Sequence, residues 1–268
     1  MRCLTAYKFF TQIRANHYQP TAFSRKLAEG PAGNWIKICY DIGQAMNRGI
    51  VPALIRTDFQ NPKDPSGSGA VEVWGQSSFQ YLAKDPHKAA EFGVAMELHS
   101  ELEPAYYAHF PFSEAKDELS KLPRAVTLVD VGGGRGHVLA NIIKDNPELR
   151  GRFVVQDLPV VVDELKLRDI PFEPMVQDFF EPQSLTGKLF SSPWTVLILC
   201  ADVKFWHLRH ILHDWPDAEC LTILTHLRNA CITTNTLHAK RSYSRILIQE
   251  FVLSDVHCGQ REAGLDIM

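Results

Sequence analysis

The chain lacks an apolar run of membrane-spanning length. A spanning helix needs about 18 consecutive apolar residues or more. The longest candidate, Trp194 to Val203, falls well short and contains Asp202. A dominant charge is also missing: 28 Lys and Arg stand against 31 Asp and Glu, a formal net charge of -3. That balance excludes nucleic-acid affinity driven by phosphate contacts. Neither nucleic acid nor membrane is therefore an expected partner. Cysteines are few and scattered: Cys3, Cys39, Cys200, Cys220, Cys231 and Cys258 form no C-x-x-C pair. They predict reduced, mostly buried thiols with no disulfide frame and no metal site. Internal repeats and low-complexity tracts are absent. Met1-Arg2-Cys3-Leu4 opens no hydrophobic signal core, which points to a cytoplasmic protein.

What is present is a change of pattern along 268 residues, a length that holds one large core or two modest domains. Residues 1–110 read as helical. Thr21 is placed to cap a helix that stops at Gly30-Pro31. Trp35, Ile36, Ile38, Cys39, Ile42 and Met46 recur at helical spacing, which predicts a buried face. The stretch from Asn61 to Gly69 is dense in breakers and reads as a loop. A further helical region runs from Ser77 to Ser100, with a break or a new start at Pro86. Pro104 to Pro123 reads as the approach to a second domain. From Val126 strands alternate with helices. Strands are predicted at Thr127 to Val131, Phe153 to Gln156, Phe172 to Val176, Ala201 to Trp206 and Arg245 to Phe251, with a helix from Trp215 to Cys231. Alternation of this kind makes an α/β fold, a parallel sheet with helices on both faces. The expected division is a helical region over 1–110 and an α/β domain over 111–268.

The run Leu128-Val129-Asp130-Val131-Gly132-Gly133-Gly134-Arg135-Gly136 ends a strand in an acid and places four glycines among five residues. A helix follows from His137 to Lys144. In an α/β sheet, a nucleotide-like ligand sits at the turn after the first strand. Glycine there lets the backbone approach the ligand and take positive φ. A dinucleotide loop, G-x-G-x-x-G, needs a small third residue, and His137 or Leu139 stands there instead. The P-loop pattern G-x-x-x-x-G-K-[ST] is missing too. Asp130 suits a ligand with a cationic or amine-bearing end, which describes S-adenosylmethionine. Asp157 falls at the end of the second strand, where a carboxylate can accept ribose hydroxyls. Asp178 follows the third strand, and Phe179 and Phe180 beside it offer an apolar wall for adenine.

With these pieces in place, the chain resembles the S-adenosylmethionine-dependent O-methyltransferases of the plant caffeate/flavonoid type, and more closely their fungal secondary-metabolite relatives. The residues that carry the resemblance are the glycine run, Gln156-Asp157-Leu158-Pro159, Gln177-Asp178-Phe179-Phe180 and Leu208-Arg209-His210-Ile211-Leu212-His213-Asp214-Trp215-Pro216-Asp217. The strand Arg245 to Glu250 and the terminal Leu265-Asp266-Ile267-Met268 also match. The resemblance implies a Rossmann-like, doubly wound class I methyltransferase sheet. A mostly helical, partial winged-helix region for dimerisation and substrate cover would precede it. It implies that Gly132, Gly133 and Gly134 line the methionine end of the cofactor. Asp157 with Leu158 would hold the ribose, and Asp178 with Phe179 would frame the adenine. Arg209 stands where the family has a basic residue near the cofactor. His213 would be the general base, with Asp214 next to it and Glu250 orienting it. Phe92 and Met96 fit an F-x-x-x-M stretch that walls the acceptor pocket. The acceptor implied is a phenolic or polyketide hydroxyl. Such a phenol, with a pKa near about 10, is a poor nucleophile at neutral pH. An imidazole can take its proton as attack proceeds. His210, one turn earlier, reads as structural.

Three departures from the family pattern are expected to matter. The chain seems to enter the N-terminal dimerisation region part-way, which weakens the implied homodimer. Ser184 to Cys200 is inserted before the fourth strand, and Gly187 to Cys200 reads as a native loop or as translated intron. Thr233 to Ser244 is a milder extra stretch. The family continues beyond the position of Met268 with a helix, two strands and a second catalytic glutamate. Two rivals follow: a non-catalytic remnant that binds cofactor or pairs with a full-length relative, and an NAD-dependent oxidoreductase.

Overall fold

Two periodicities divide the chain, and the computed structural model follows them. It describes residues 1–28, 31–60, 62–101, 105–120, 125–185, 190–192, 195–197, 203–237 and 243–252. The N-terminal part contains α1 (Arg2–Ala6), β1 (Phe10–Arg14), β2 (His17–Pro20), α2 (Ala22–Ala28) and α3 (Pro31–Ile38). Then come α4 (Gln44–Arg56), α5 (Gly69–Trp74), α6 (Ser78–Ala83), α7 (Pro86–Glu101) and α8 (Lys116–Leu119). Side-chain oxygens start several helices. Thr21 Oγ1 accepts the Ser24 N–H at 3.2 Å, and Ser77 and Gln80 form a reciprocal capping box. Pro86 opens α7, so it restarts the helix: its fixed φ suits a first turn and its missing N–H is not needed there.

Two expectations for this part are corrected. Residues 1–110 are not purely helical, because β1 and β2 pair antiparallel around Asn16, which takes φ 60°. Asn tolerates that conformation and favours such turns. The predicted buried face is also narrower than its spacing suggests. Ile38 and Ile42 are buried with Trp35 and Met46 against them, but Ile36 is 46% exposed and Cys39 is exposed. A π turn over Cys39–Gly43 joins α3 to α4 and shifts the phase of the helical face. Cys3 is exposed as well. Of the described cysteines only Cys231 is buried, so the thiols are not mostly buried.

The C-terminal part contains β3 (Val126–Val131), α9 (His137–Asp145), β4 (Arg152–Asp157), α10 (Pro159–Leu165) and β5 (Glu173–Val176). A short antiparallel pair, β6 (Phe190–Ser192) and β7 (Thr195–Leu197), stands apart from the main sheet. β8 (Val203–Arg209), α11 (Asp217–Leu237) and β9 (Arg245–Gln249) complete the order. Five strands form one sheet, β5-β4-β3-β8-β9, and every pairing in it is parallel. β3 is buried along its whole length, as a central strand covered on both faces should be. On one face Leu128, Val155 and Phe205 meet Leu139 and Ile142 of α9. On the other, Val129, Val154 and Trp206 meet Ile223 and Leu227 of α11.

The predicted fourth strand, Ala201 to Trp206, lies too early. β8 runs on to Arg209, and Ala201 and Asp202 lie outside the described residues. Polar His207 and Arg209 disguise the strand in the sequence. The strand predicted to end at Phe251 ends at Gln249, and the helix predicted to end at Cys231 reaches Leu237. Gly30, most of the stretch between Thr186 and Cys200, and the terminal Leu265 to Met268 also lie outside the described residues. Among the described residues, no helix is long and apolar enough to cross a membrane.

Candidate functional site

β3 delivers the glycine loop to the carboxyl edge of the sheet. The Gly132 and Gly133 N–H groups both donate to the Gln156 carbonyl, at 2.8 and 3.3 Å. The Gly134 N–H donates to Asp157 Oδ2 at 2.8 Å, and the Leu158 N–H to Asp157 Oδ1 at 2.7 Å. The loop is therefore pinned to the end of β4. Gly132 takes φ 66°, and a Cβ there would lie 2.6 Å from Ile211 Cδ1 and 3.4 Å from the Phe179 ring. Burial holds the Asp157 carboxyl above the usual carboxylate range despite its two N–H donors, and the charge of Asp130 adds to that.

Asp130 lies beneath the glycine loop. It is 3% exposed, and its Oδ1 accepts the His207 Nδ1–H at 3.0 Å. A Cβ on Gly133 would sit 2.6 Å from its Oδ2. The carboxylate forms the floor of the loop. The register of the sheet explains this, since Asp130 lies directly opposite His207 of β8. Asp178 is exposed, and its Oδ1 accepts the Phe180 N–H at 2.9 Å. Phe179 and Phe180 pack against each other (centroids 4.9 Å) and against Trp215 (5.9 and 4.7 Å).

The segment after β8 brings the other polar groups to the same edge. The His213 Nδ1–H donates to Glu250 Oε2 at 2.8 Å. Glu250 Oε1 accepts the N–H groups of Ile211 and Leu212, at 2.9 and 2.8 Å. One carboxylate thus fixes both the ring and the backbone that carries it. His213 Nε2 lies 3.5 Å from Asp214 Oδ1, and its side chain is 48% exposed. Glu250 raises the His213 imidazole above its ordinary value, more than burial lowers it. Burial works against charge on Glu250, but His213 and the two N–H donors outweigh it and hold that carboxyl below the usual range. Partial burial, with Glu250 nearby, pushes Asp214 up to about 6. His210 takes φ 53° and packs near His213 and Phe251, with centroids at 5.4 and 4.8 Å. Burial, with Arg209 and His213 adding, depresses its imidazole to about 3.

A polar knot joins α7 to this edge. Ser100 Oγ donates to the Met96 carbonyl (3.0 Å) and accepts from Arg209 Nη1 (2.9 Å) and His137 Nε2 (2.7 Å). Both lone pairs and the hydrogen of that hydroxyl are thereby used. Arg135 lies between Glu97 (3.1 Å) and Glu164 (3.2 Å). Phe92 and Met96 pack in the N-terminal cluster against Ile38, Ile42, Leu82 and Ala95. Phe92 meets Phe79, which in turn stacks on Trp215 at 5.9 Å. A cavity of about 440 Å³ lies between α7, the start of α9 and Arg209, and Asp157, Phe179 and His213 are not among the residues lining it.

The structure therefore brings Gly132, Gly134, Asp157, Phe179 and Trp215 together at the strand ends. His213 and Asp214 form a second group in the segment that carries Trp215, and Glu250, just after β9, joins them. Sequence reasoning missed Ser100, His137, Glu97 and His207. Their partners are 37 to 109 residues away along the chain where a hydrogen bond joins them. The one signal was a histidine at 207 between the apolar Trp206 and Leu208.

A parallel sheet with a glycine loop at its first strand and acids at the next strand ends defines an α/β protein of the nucleotide-binding kind. The chain belongs to the O-methyltransferase domain family, whose model matches residues 69–261. It is 26% identical to Methyltransferase cfoC of Aspergillus candidus over 94% of this chain and 57% of that protein. It is also 26% identical to the demethylsterigmatocystin 6-O-methyltransferase of Aspergillus flavus, over 100% of this chain and 63% of that one. The crystal structure of OxaC in complex with SAH and oxaline shares the fold, with a TM-score of 0.81 and 24% identity over 100% of this chain and 63% of that chain. The chain thus spans about three fifths of the length of these relatives.

Proposed function

We propose that the chain is the cofactor-binding and proton-accepting part of an O-methyltransferase that uses S-adenosylmethionine to methylate a phenolic or polyketide hydroxyl. The observation that carries this reading is the His213–Glu250 pair, 2.8 Å apart, with His213 two residues from Trp215 of the aromatic wall. The site fits the cofactor's chemistry. The desolvated Asp157 carboxylate would gain from hydroxyl donors such as those of a ribose. Phe179 and Trp215 supply an apolar wall for a base. Gly132, Gly133 and Gly134 present backbone where side chains would block approach. Arg209 and Asp178 stand at the margins. Asp130 supports this set from below and makes no direct contact in the reading. When bound, the cofactor supplies an electrophilic methyl group.

The protein's own residues do the rest. Glu250 keeps the proton on His213 Nδ1, so the Nε2 lone pair is free to take the acceptor's proton. Glu250, and Asp214 to the extent that it is ionised, then stabilise the imidazolium. Phe92 and Met96 belong to the helix that would wall the acceptor. Two relatives named for methyl transfer and a fold neighbour holding SAH support the reading.

The deciding experiment is calorimetric titration of the purified chain with S-adenosylhomocysteine. Micromolar binding that survives His213→Ala, with turnover lost in that variant on a phenolic acceptor panel, is the expected result. Full turnover by His213→Ala would remove His213 as the base. A folded chain that binds no S-adenosylhomocysteine would favour the non-catalytic remnant, and binding of NADH in its place would favour the oxidoreductase.

A further inference from the structure

β8 is buried from Val203 to Leu208 where it crosses the sheet, and Lys204 and His207, each 3% exposed, are the polar residues of that stretch. A buried imidazole in a central strand is costly unless its polar atoms are used. Its Nδ1–H is used, on Asp130 Oδ1 at 3.0 Å. The other oxygen of the same carboxylate lies directly under Gly133, with no space for a side chain between them. The negative charge of Asp130 also acts on Asp157, the acid that pins Gly134. Two buried carboxylates thus flank one loop, and His207 supplies the donor that lets the inner one stay there.

We propose that His207 is a positioning residue: through the Asp130 carboxylate it fixes the glycine loop in the form that receives the cofactor. The cofactor part rests on the function proposed above. Without the Nδ1–H, Asp130 would be a desolvated acceptor short of a partner, close to a second acid. It would relax by turning toward the loop, and that change moves Gly133.

The test compares three variants of the full chain. In His207→Asn the side-chain amide stands close to the place of Nδ1 and keeps the donor. In His207→Phe the ring stays and the donor goes. In His207→Gln the amide reaches out toward the place of Nε2, which keeps polarity and size but misplaces the donor. Two readouts are taken: amide hydrogen exchange across residues 131–137 without ligand, and affinity for S-adenosylhomocysteine by calorimetry. The Phe and Gln variants should exchange these amides about tenfold faster and bind about tenfold more weakly, the scale of one hydrogen bond to a charged group. Exchange in β4 should stay unchanged, and the Asn variant should remain within about threefold of the parent in both readouts.

Parent-like exchange in His207→Phe, or equal losses in the Asn and Gln variants, would overturn the proposal. If the Phe variant does not fold, the Asn–Gln comparison decides alone. If the parent binds no S-adenosylhomocysteine, the function proposed above fails, while the exchange readout still judges His207.

Discussion

His213 meets a carboxylate on each side of its ring, and the two contacts differ in kind. Glu250 is a close, well-directed acceptor at 2.8 Å, and Asp214 is a neighbour at 3.5 Å. Because Glu250 raises the imidazole, His213 becomes neutral only above its ordinary value near 6.5. Only the neutral form takes a proton. The acid limb of kcat/KM against pH should therefore have its midpoint above 6.5, and Glu250→Gln should move that midpoint down. A pH–rate profile checks both; a midpoint indifferent to Glu250→Gln would detach Glu250 from His213. Stability runs the other way for this residue. A raised imidazole favours the folded state at low pH, and that contribution is lost as pH rises through its folded pKa. Glu250, held low, favours folding at higher pH and loses its contribution as pH falls through its own folded value.

The glycine loop separates backbone strain from packing at two positions. Gly134 takes φ 56° with open space around its missing side chain, and Gly136 takes φ 70° with the Phe172 ring 2.1 Å from where a Cβ would be. Gly134→Ala should cost about 1–2 kcal/mol, the left-handed penalty alone. Gly136→Ala must also displace a buried ring, so its Tm should fall several degrees further; equal Tm losses in thermal melts would undo the packing argument. The elements that alternate strictly were plain in the sequence. β3, β4 and α9 stand within a residue of their predicted places because their apolar runs end in an acid, a glycine or a cap. β8 was misplaced because polar positions in it are satisfied by distant partners, His207 by Asp130 of β3 and Arg209 by Ser100 of α7, which no local pattern records. The β1–β2 hairpin went unseen because its strands are mostly exposed and carry no core-facing alternation. In the site, the motif residues were readable one by one. How they contact one another was not: Asp130 meets His207 because of what stands opposite it in β8.

Among the described residues of the whole molecule, burial holds two imidazoles well below their ordinary value. His137, beside Ser100, is depressed to about 4, chiefly by burial, and His210 to about 3. Unfolding frees both to bind protons below about 6.5. Stability should therefore decline as pH falls from there toward 4. Asp214, raised to about 6, opposes this over part of the range, as do the raised His213 and Asp157, while the lowered Glu250 and Glu173 act with the two imidazoles. Melting temperature should be lower at pH 5 than at pH 7. His210→Asn, which tolerates the left-handed backbone, should flatten that slope, and an unaltered slope would exclude His210 as a source. The sheet order has a further consequence for how the molecule comes into being. Asp130 meets His207 across 77 residues of chain, and His213 meets Glu250 across 37. Loop closure over such distances is slow compared with local structure. Until β8 arrives, β3 keeps an open edge that can pair with another nascent chain. The strand that completes the site is therefore also the one that shields the newborn protein from its neighbours.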